Sequence, residues 1–253
     1  MCDPATRTVS LAPSATATLV EMGAAESLVG VTAHCGYDEA ASLGGWLNAD
    51  PDRVAALDPD VVLTNDPLQR ELRDELRGRG LDVHHREPST LADVFESIAA
   101  VGEAVGRPGD GDRLVRECRT RVRRVRDAVA GRDRPVVYCE EWSDPPMAAG
   151  NWVPDAVVAA GGRYPFTEPG DRSHEVGPEK VPDADPDHVV LHVCGSGDRS
   201  DPSVLEERDW ELDAEVHVVD DDLLNQPSPR LVDGIEGLAE RLHGVDVDEG
   251  DDD

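Results

Sequence analysis

Short apolar runs return along this chain, each separated from the next by a stretch with helical spacing. "RTVSLA" (7–12), "LVGVT" (28–32), "DVVLT" (60–64) and "DVHHRE" (82–87) read as strands. "TATLVEMGA", "ADPDRVAALD", "LQRELRDELRGRG" and "STLADVFESIAAVGEAVG" read as the helices among them. Strands that alternate with helices pair mainly in parallel, because each helix is the crossover that carries the chain back to the same end of the sheet. The alternation stops at "GRPGDG" (106–111) and gives way to "DRLVRECRTRVRRVRDAVAG". There Leu114, Cys118, Val122, Val125 and Val129 form one apolar stripe, and seven arginines crowd the other faces of a single long helix. From Pro135 the alternation restarts with "PVVYCEEW", "VPDAVVAAGG", "HVVLHVCG", "EVHVVDD" and "PRLVDGIEGLAERLHG". The expected fold is α/β: two α/β lobes with mainly parallel sheets, joined by one long rigid helix. The expected boundaries are 1–108 for the first lobe, 109–131 for the linking helix and 132–244 for the second lobe, with 245–253 as a disordered acidic tail.

Charge narrows the function. Fifty-four acidic residues face 24 basic ones, a formal net charge of −30, and Lys180 is the only lysine. Such a chain repels nucleic acid and anionic membranes, so neither is an expected partner. The recurring apolar runs argue against disorder, and the acidity reads as the skin of a halophilic protein, for which molar salt screens the self-repulsion. The arginine-rich helix reads as a solvated face pairing with acidic neighbours.

Cys2, Cys35, Cys118, Cys139 and Cys194 are scattered without a CxxC pair, so neither a disulfide framework nor a zinc site is indicated. No phosphate-binding GxxxxGK[ST] or GxGxxG loop occurs. The start, "MCDPATRTVSLAPSA", shows no charged and apolar leader, which points to the cytoplasm. The alternative is an extracytoplasmic lipoprotein that begins at Cys2.

The chain has only nine aromatic residues, yet Trp142 and Trp152 stand ten positions apart in the turn-rich "EEWSDPPMAAGNWVPDAVVAAGG" (140–162). That stretch is one of five blocks, in order, that resemble a known family. The others are "RTVSLAPSATATLVEMGAAESLVGVTAHCGYDEA", "WLNADPDRVAALDPDVVLTND", "SHEVGPEKVPDADPDHVVLHVCG" and "NQPSPRLVDGIEGLAERLHG". Together they resemble the cobalamin-type, helical-backbone substrate-binding proteins of ABC importers, and most closely a signal-less branch labelled cobalamin-binding.

The resemblance implies a ligand held in a cleft between the lobes, against loops at the carboxyl ends of the strands. Trp46, Trp142 and Trp152 would then offer flat indoles to a macrocycle. Half of each indole facing ligand is roughly 300 Å² in all, or about 7 kcal/mol, which is comparable with the cost of association. Ser14, Asn48, Asn65, Asn151, Asn225 and Arg230 are the candidate polar partners. Tyr37 accompanies His34 in a loop beside Cys35, and His34 could reach a metal of the ligand. His174 stands where importer relatives can carry a cleft tryptophan, which makes it a second such histidine. Asp52 and Glu179 match the acidic positions that dock on a membrane permease.

The function so implied is a non-enzymatic, monomeric binding protein for a cobalamin-like corrinoid, with no cofactor beyond that ligand and an ABC permease as partner. A siderophore, haem or metal ion bound by the same fold is the alternative. A corrinoid-modifying enzyme using Glu140, Glu141 and Asp144 is more remote.

Overall fold

The computed structural model describes residues 6–208 and 210–246. Cys2 and the tail from 247 onward, and with them the expectations of a lipidated start and a disordered end, lie outside the described residues. The chain divides into two compact units, the first formed by residues up to Pro88 with Ala92–Glu117, the second by Ser89–Leu91 with the chain from Cys118.

In the first unit, strands β1 (Thr8–Ser10), β2 (Leu28–Val31), β3 (Ala41–Ser42), β4 (Val61–Asn65) and β5 (Val83–Arg86) form one sheet in the order β3-β2-β1-β4-β5. Every neighbouring pair is parallel. The helices are α1 (Pro13–Glu21), α2 (Pro51–Ala56), α3 (Arg70–Gly78), α4 (Leu91–Ala104) and α5 (Pro108–Ala128). Local chemistry sets their starts. Pro13 opens α1, where a missing N–H costs nothing. Asp50 caps α2 by accepting from the backbone N–H groups of Asp52 and Arg53. Val9, Leu11, Leu43, Val54, Val62, Leu76 and Val83 pack as the core between sheet and helices.

The second unit carries β6 (Val137–Ser143), β7 (Pro146–Ala148), β8 (His174–Glu175), β9 (His188–Leu191) and β10 (Glu215–Val218) in the order β10-β9-β6-β7-β8. Its helices are α6 (Val153–Ala159), α7 (Lys180–Ala184) and α8 (Arg230–His243), the last closed by Gly244 in the left-handed region. β10, β9 and β6 are parallel, while β7 and β8 extend the sheet with antiparallel pairs. The sequence gives no sign of that extension, since two prolines follow Asp144. Pro146 nevertheless pairs with Ser143 across a tight hairpin. The core joins Val137, Tyr138, Val189, Val190 and Leu191 to Leu231, Ile235 and Leu238 of α8. Scarce aromatics are concentrated here: Phe166 meets Tyr138 edge-on at 5.0 Å and Tyr164 at 5.4 Å.

The division between the units falls inside α5, between Glu117 and Cys118. Its expected stripe is buried as read, with Leu114, Cys118, Val122, Val125 and Val129 all in the core. Arg121 pairs with Asp233 and Glu236 of α8, and Arg113 with Asp110 and Glu117 on its own helix. Among the described residues, no helix is long and apolar enough to cross a membrane.

Candidate functional site

At the carboxyl end of the first sheet, the amide of Asn65, the last residue of β4, donates to the Ser14 hydroxyl in the first turn of α1 at 3.1 Å. Gln69, fully buried, ties three segments together. Its carbonyl oxygen accepts from the Asn65 backbone N–H at 2.9 Å, and its amide donates to the carbonyls of Leu11 at 2.9 Å and Trp46 at 2.7 Å. Two buried polar atoms of this group find no partner among the described residues, Asn65 Oδ1 and Trp46 Nε1. One is an acceptor and the other a donor, and a buried polar atom left unmet costs about 1–3 kcal/mol. Nothing in "NDPLQR" marks this glutamine as the tie of three loops.

The other candidates of this unit are more open. His34 is exposed in the turn after β2, and Asn48 is exposed in the loop before α2. Tyr37 is half-buried with its hydroxyl near the Ala25 carbonyl and the Glu39 carboxylate, at 3.3 and 3.2 Å. Cys35 is occupied by Thr32, whose hydroxyl lies 3.2 Å from its sulfur. Asp52 is exposed and pairs with Arg79, so its charge is already met from within.

In the second unit the two tryptophans part company. Trp142, on β6, is 47% exposed and donates to the Asp144 carbonyl at 2.9 Å. Trp152 is only 8% exposed, and its N–H is spent on the Leu224 carbonyl at 2.7 Å. Trp152 thus differs from Trp142 in offering little open indole surface. It is a core residue at the start of α6.

Asn225 is half-buried against His192, which follows β9. The Asn225 amide donates to the His192 carbonyl at 3.0 Å, which turns its oxygen toward the ring, 2.5 Å from Nδ1. That nitrogen therefore carries the proton. Nε2 is left as a bare acceptor, fully buried and without a partner among the described residues, and the buried Ser228 hydroxyl, three positions after Asn225, is likewise unpartnered among them. Burial pushes the His192 pKa down to about 4, with the Asn225 hydrogen bond opposing. In the sequence, "HVVLHV" reads as strand packing and does not distinguish His192.

Asn151 adopts a left-handed φ of 53° and bonds the 170–171 turn on both sides, donating to Asp171 O at 2.5 Å and accepting from Gly170 N at 3.0 Å. Gly150 beside it must be glycine, since a Cβ there would lie 2.4 Å from Asp171 O. His174 is exposed on β8 and lines a surface depression of about 470 Å³ with Phe166, Glu168 and Arg172. Arg230 pairs with the Asp222 carboxylate at 2.6 Å, and Glu179 is exposed just before α7.

Among the three carboxylates Glu140, Glu141 and Asp144, the first has its oxygens fully engaged. Glu140 is fully buried and holds Arg208 at 2.5 and 3.0 Å, the Tyr138 hydroxyl at 3.0 Å and the Ser143 hydroxyl at 2.7 Å. A carboxylate so saturated with donors is structural.

Comparison with known proteins follows the same lines. A cobalamin-binding protein of Halobacterium salinarum is 29% identical over 261 residues, covering 95% of this chain and 70% of its own. A vitamin B12-binding protein of Vibrio cholerae is 25% identical, covering 94% of this chain and 90% of its own. The crystal structure of the periplasmic vitamin B12 binding protein of Vibrio cholerae superposes with a TM-score of 0.76 at 23% identity, covering 98% of this chain and 99% of its own. A periplasmic haem-binding protein of Pseudomonas aeruginosa superposes at 0.79 with 23% identity, covering 95% and 94%, so the fold is common to both ligands. The sequence pattern described as periplasmic binding protein matches residues 8–219, from β1 to the end of the second sheet, and the chain belongs to that family.

Proposed function

We propose that this chain is a non-enzymatic binding protein for a cobalamin-like corrinoid, working with an ABC-type uptake system. The observation that carries the reading is sequence similarity to proteins named for cobalamin and vitamin B12 along 94–95% of the chain. Haem-binding relatives share the fold, but that likeness does not choose a ligand. The site residues are consistent with a large, amide-edged molecule. Asn65, Trp46, His192 and Ser228 carry buried polar atoms unmet among the described residues, and Trp142 offers an exposed indole.

The ligand-contacting set is Ser14, Trp46, Asn48, Asn65, Trp142, Asn151, Asn225 and Arg230, with Trp152 behind it as support. Asp52 and Glu179 would face the permease. The test is calorimetric titration at 2 M potassium chloride with cyanocobalamin, haemin and a ferric siderophore in parallel. Saturable binding of cyanocobalamin at one equivalent is the expected result. Binding of haemin alone, lost on replacing His34 and His174 together, would transfer the chain to the haem class.

A further inference from the structure

The amino end of the second sheet carries a group of side chains that the corrinoid reading does not use. His188 opens β9, and Glu215 opens β10 directly beside it in the parallel register; His217 lies two residues further along β10, opposite Val190. Residues two apart on a strand, and residues paired across neighbouring strands, share one face of a sheet. The sequence therefore sets two imidazoles and a carboxylate together on one face, held by two paired strands rather than by a loop.

The distances agree with that placement. Nδ1 of His188 lies 3.0 Å from Nε2 of His217, with 24° between the ring planes. The Glu215 carboxylate stands 4.0 Å from the His188 ring and 3.9 Å from the His217 ring. One ligand atom from each of the three falls within 4.8 Å of the others. Imidazole nitrogens bind zinc-like ions at about 2.0–2.1 Å, so two of them on one ion stand about 2.9–3.4 Å apart at ordinary coordination angles. The histidine nitrogens are already in that range. Glu215, with a side chain 68% exposed, is free to close the remaining gap, and it leaves an entry from solvent.

We propose that His188, Glu215 and His217 form a binding site for one late first-row divalent cation of the zinc, cobalt or nickel class. Two imidazoles and one carboxylate suit such ions better than magnesium or calcium, which prefer oxygen alone. Three protein ligands leave a fourth position to water. The ion would clasp the edge strand β10 to β9.

The test uses the full chain after chelator treatment, titrated with cobalt(II) while visible absorption is followed. One equivalent should bind with an inner-sphere spectrum, and zinc should displace it. Replacing Glu215 by Ala at its exposed position should weaken cobalt binding at least several-fold without altering the metal-free melting curve. The double change H188A/H217A should abolish the spectrum, while H34A/H174A should leave it intact. Anomalous scattering at the cobalt edge from crystals of the unaltered protein locates the ion whatever the variants do to folding. Unchanged cobalt binding in H188A/H217A, an ion placed elsewhere, or no saturable uptake up to millimolar cobalt would overturn the proposal. Cyanocobalamin binding serves as a separate readout, expected to be the same in E215A and H188A/H217A.

Discussion

Arg208 holds the carboxylate of Glu140 through two guanidinium nitrogens, at 2.5 and 3.0 Å, although 68 residues separate them in the chain. Glu140 is wholly enclosed and Arg208 largely so, and the guanidinium also lies 5.0 Å from the Trp210 ring. Replacing Arg208 by Met strands a carboxylate in the interior, at a cost of about 3–5 kcal/mol. The further change E140Q should recover part of it, because an amide in the same place needs no counter-charge. Thermal melts of the single and double variants at 2 M potassium chloride decide the matter. Equal melting points for R208M and the unaltered protein would show the pair to be dispensable.

Trp142 and Trp152 should separate binding from stability. Trp142→Ala is expected to weaken cyanocobalamin binding by about 1–3 kcal/mol, as truncated aromatic anchors do, with little change in the melting point. Trp152→Ala removes a buried indole and its bond to Leu224, so it should destabilise the fold by about 3–5 kcal/mol. Titration calorimetry and melting curves on both variants give a crossed pattern if the two roles are as described. Loss of affinity confined to W152A would reverse the assignment.

His192 should leave a mark on the pH dependence of stability. Its ring is neutral in the folded state with a pKa of about 4, against an ordinary value near 6.5. The unfolded chain therefore takes up the proton first, and stability falls as pH drops from about 6.5 towards 4. A difference of this size corresponds to about 3 kcal/mol. Burial lowers the pKa of His217 and His243 in the same direction, so His192→Gln should flatten the slope rather than remove it. The experiment belongs at molar salt, where relief of acidic repulsion does not mask it. An identical pH profile for H192Q would show that the ring is protonated in place.

Salt dependence should be steep. With a formal charge of −30, the compact state gathers repulsion that the expanded chain relieves. The screening length falls from about 30 Å at 0.01 M to about 3 Å at 1 M. The melting point should therefore rise by many degrees between 0.05 M and 2 M potassium chloride. Midpoints within a few degrees of each other would mean that the acidity serves a basic partner instead of a saline medium.

Much of this architecture could be read from the residues because it is local. The alternation of apolar runs and helical spacing located the parallel strands, and the four-four-three-four stripe on α5 located its buried face. What stayed hidden depends on partners distant in the chain. The burial of Trp152 is decided by Leu224, 72 residues away, and the saturation of Glu140 by Arg208. Gln69 and His192 matter because of the carbonyls and amides that surround them, which no spacing rule reaches. The β7 hairpin escaped because consecutive prolines at 145 and 146 usually end a strand. Pro146 stands at the first position of β7, where a missing N–H is tolerated, and its carbonyl still accepts from the Val176 N–H at 2.9 Å.

The unit boundary inside α5 has a consequence for how such a chain can be inherited. A break between Glu117 and Cys118 would leave Leu114 on one fragment and Cys118, Val122, Val125 and Val129 on the other. The first fragment would keep only 108–117 of the helix, a length at which isolated helices are marginal in water. Each unit thus contributes one part of a turn-by-turn structure that the other completes. Recombination that exchanges one half of the gene for that of a relative must place its crossover outside this helix, or match the stripe on both sides of it.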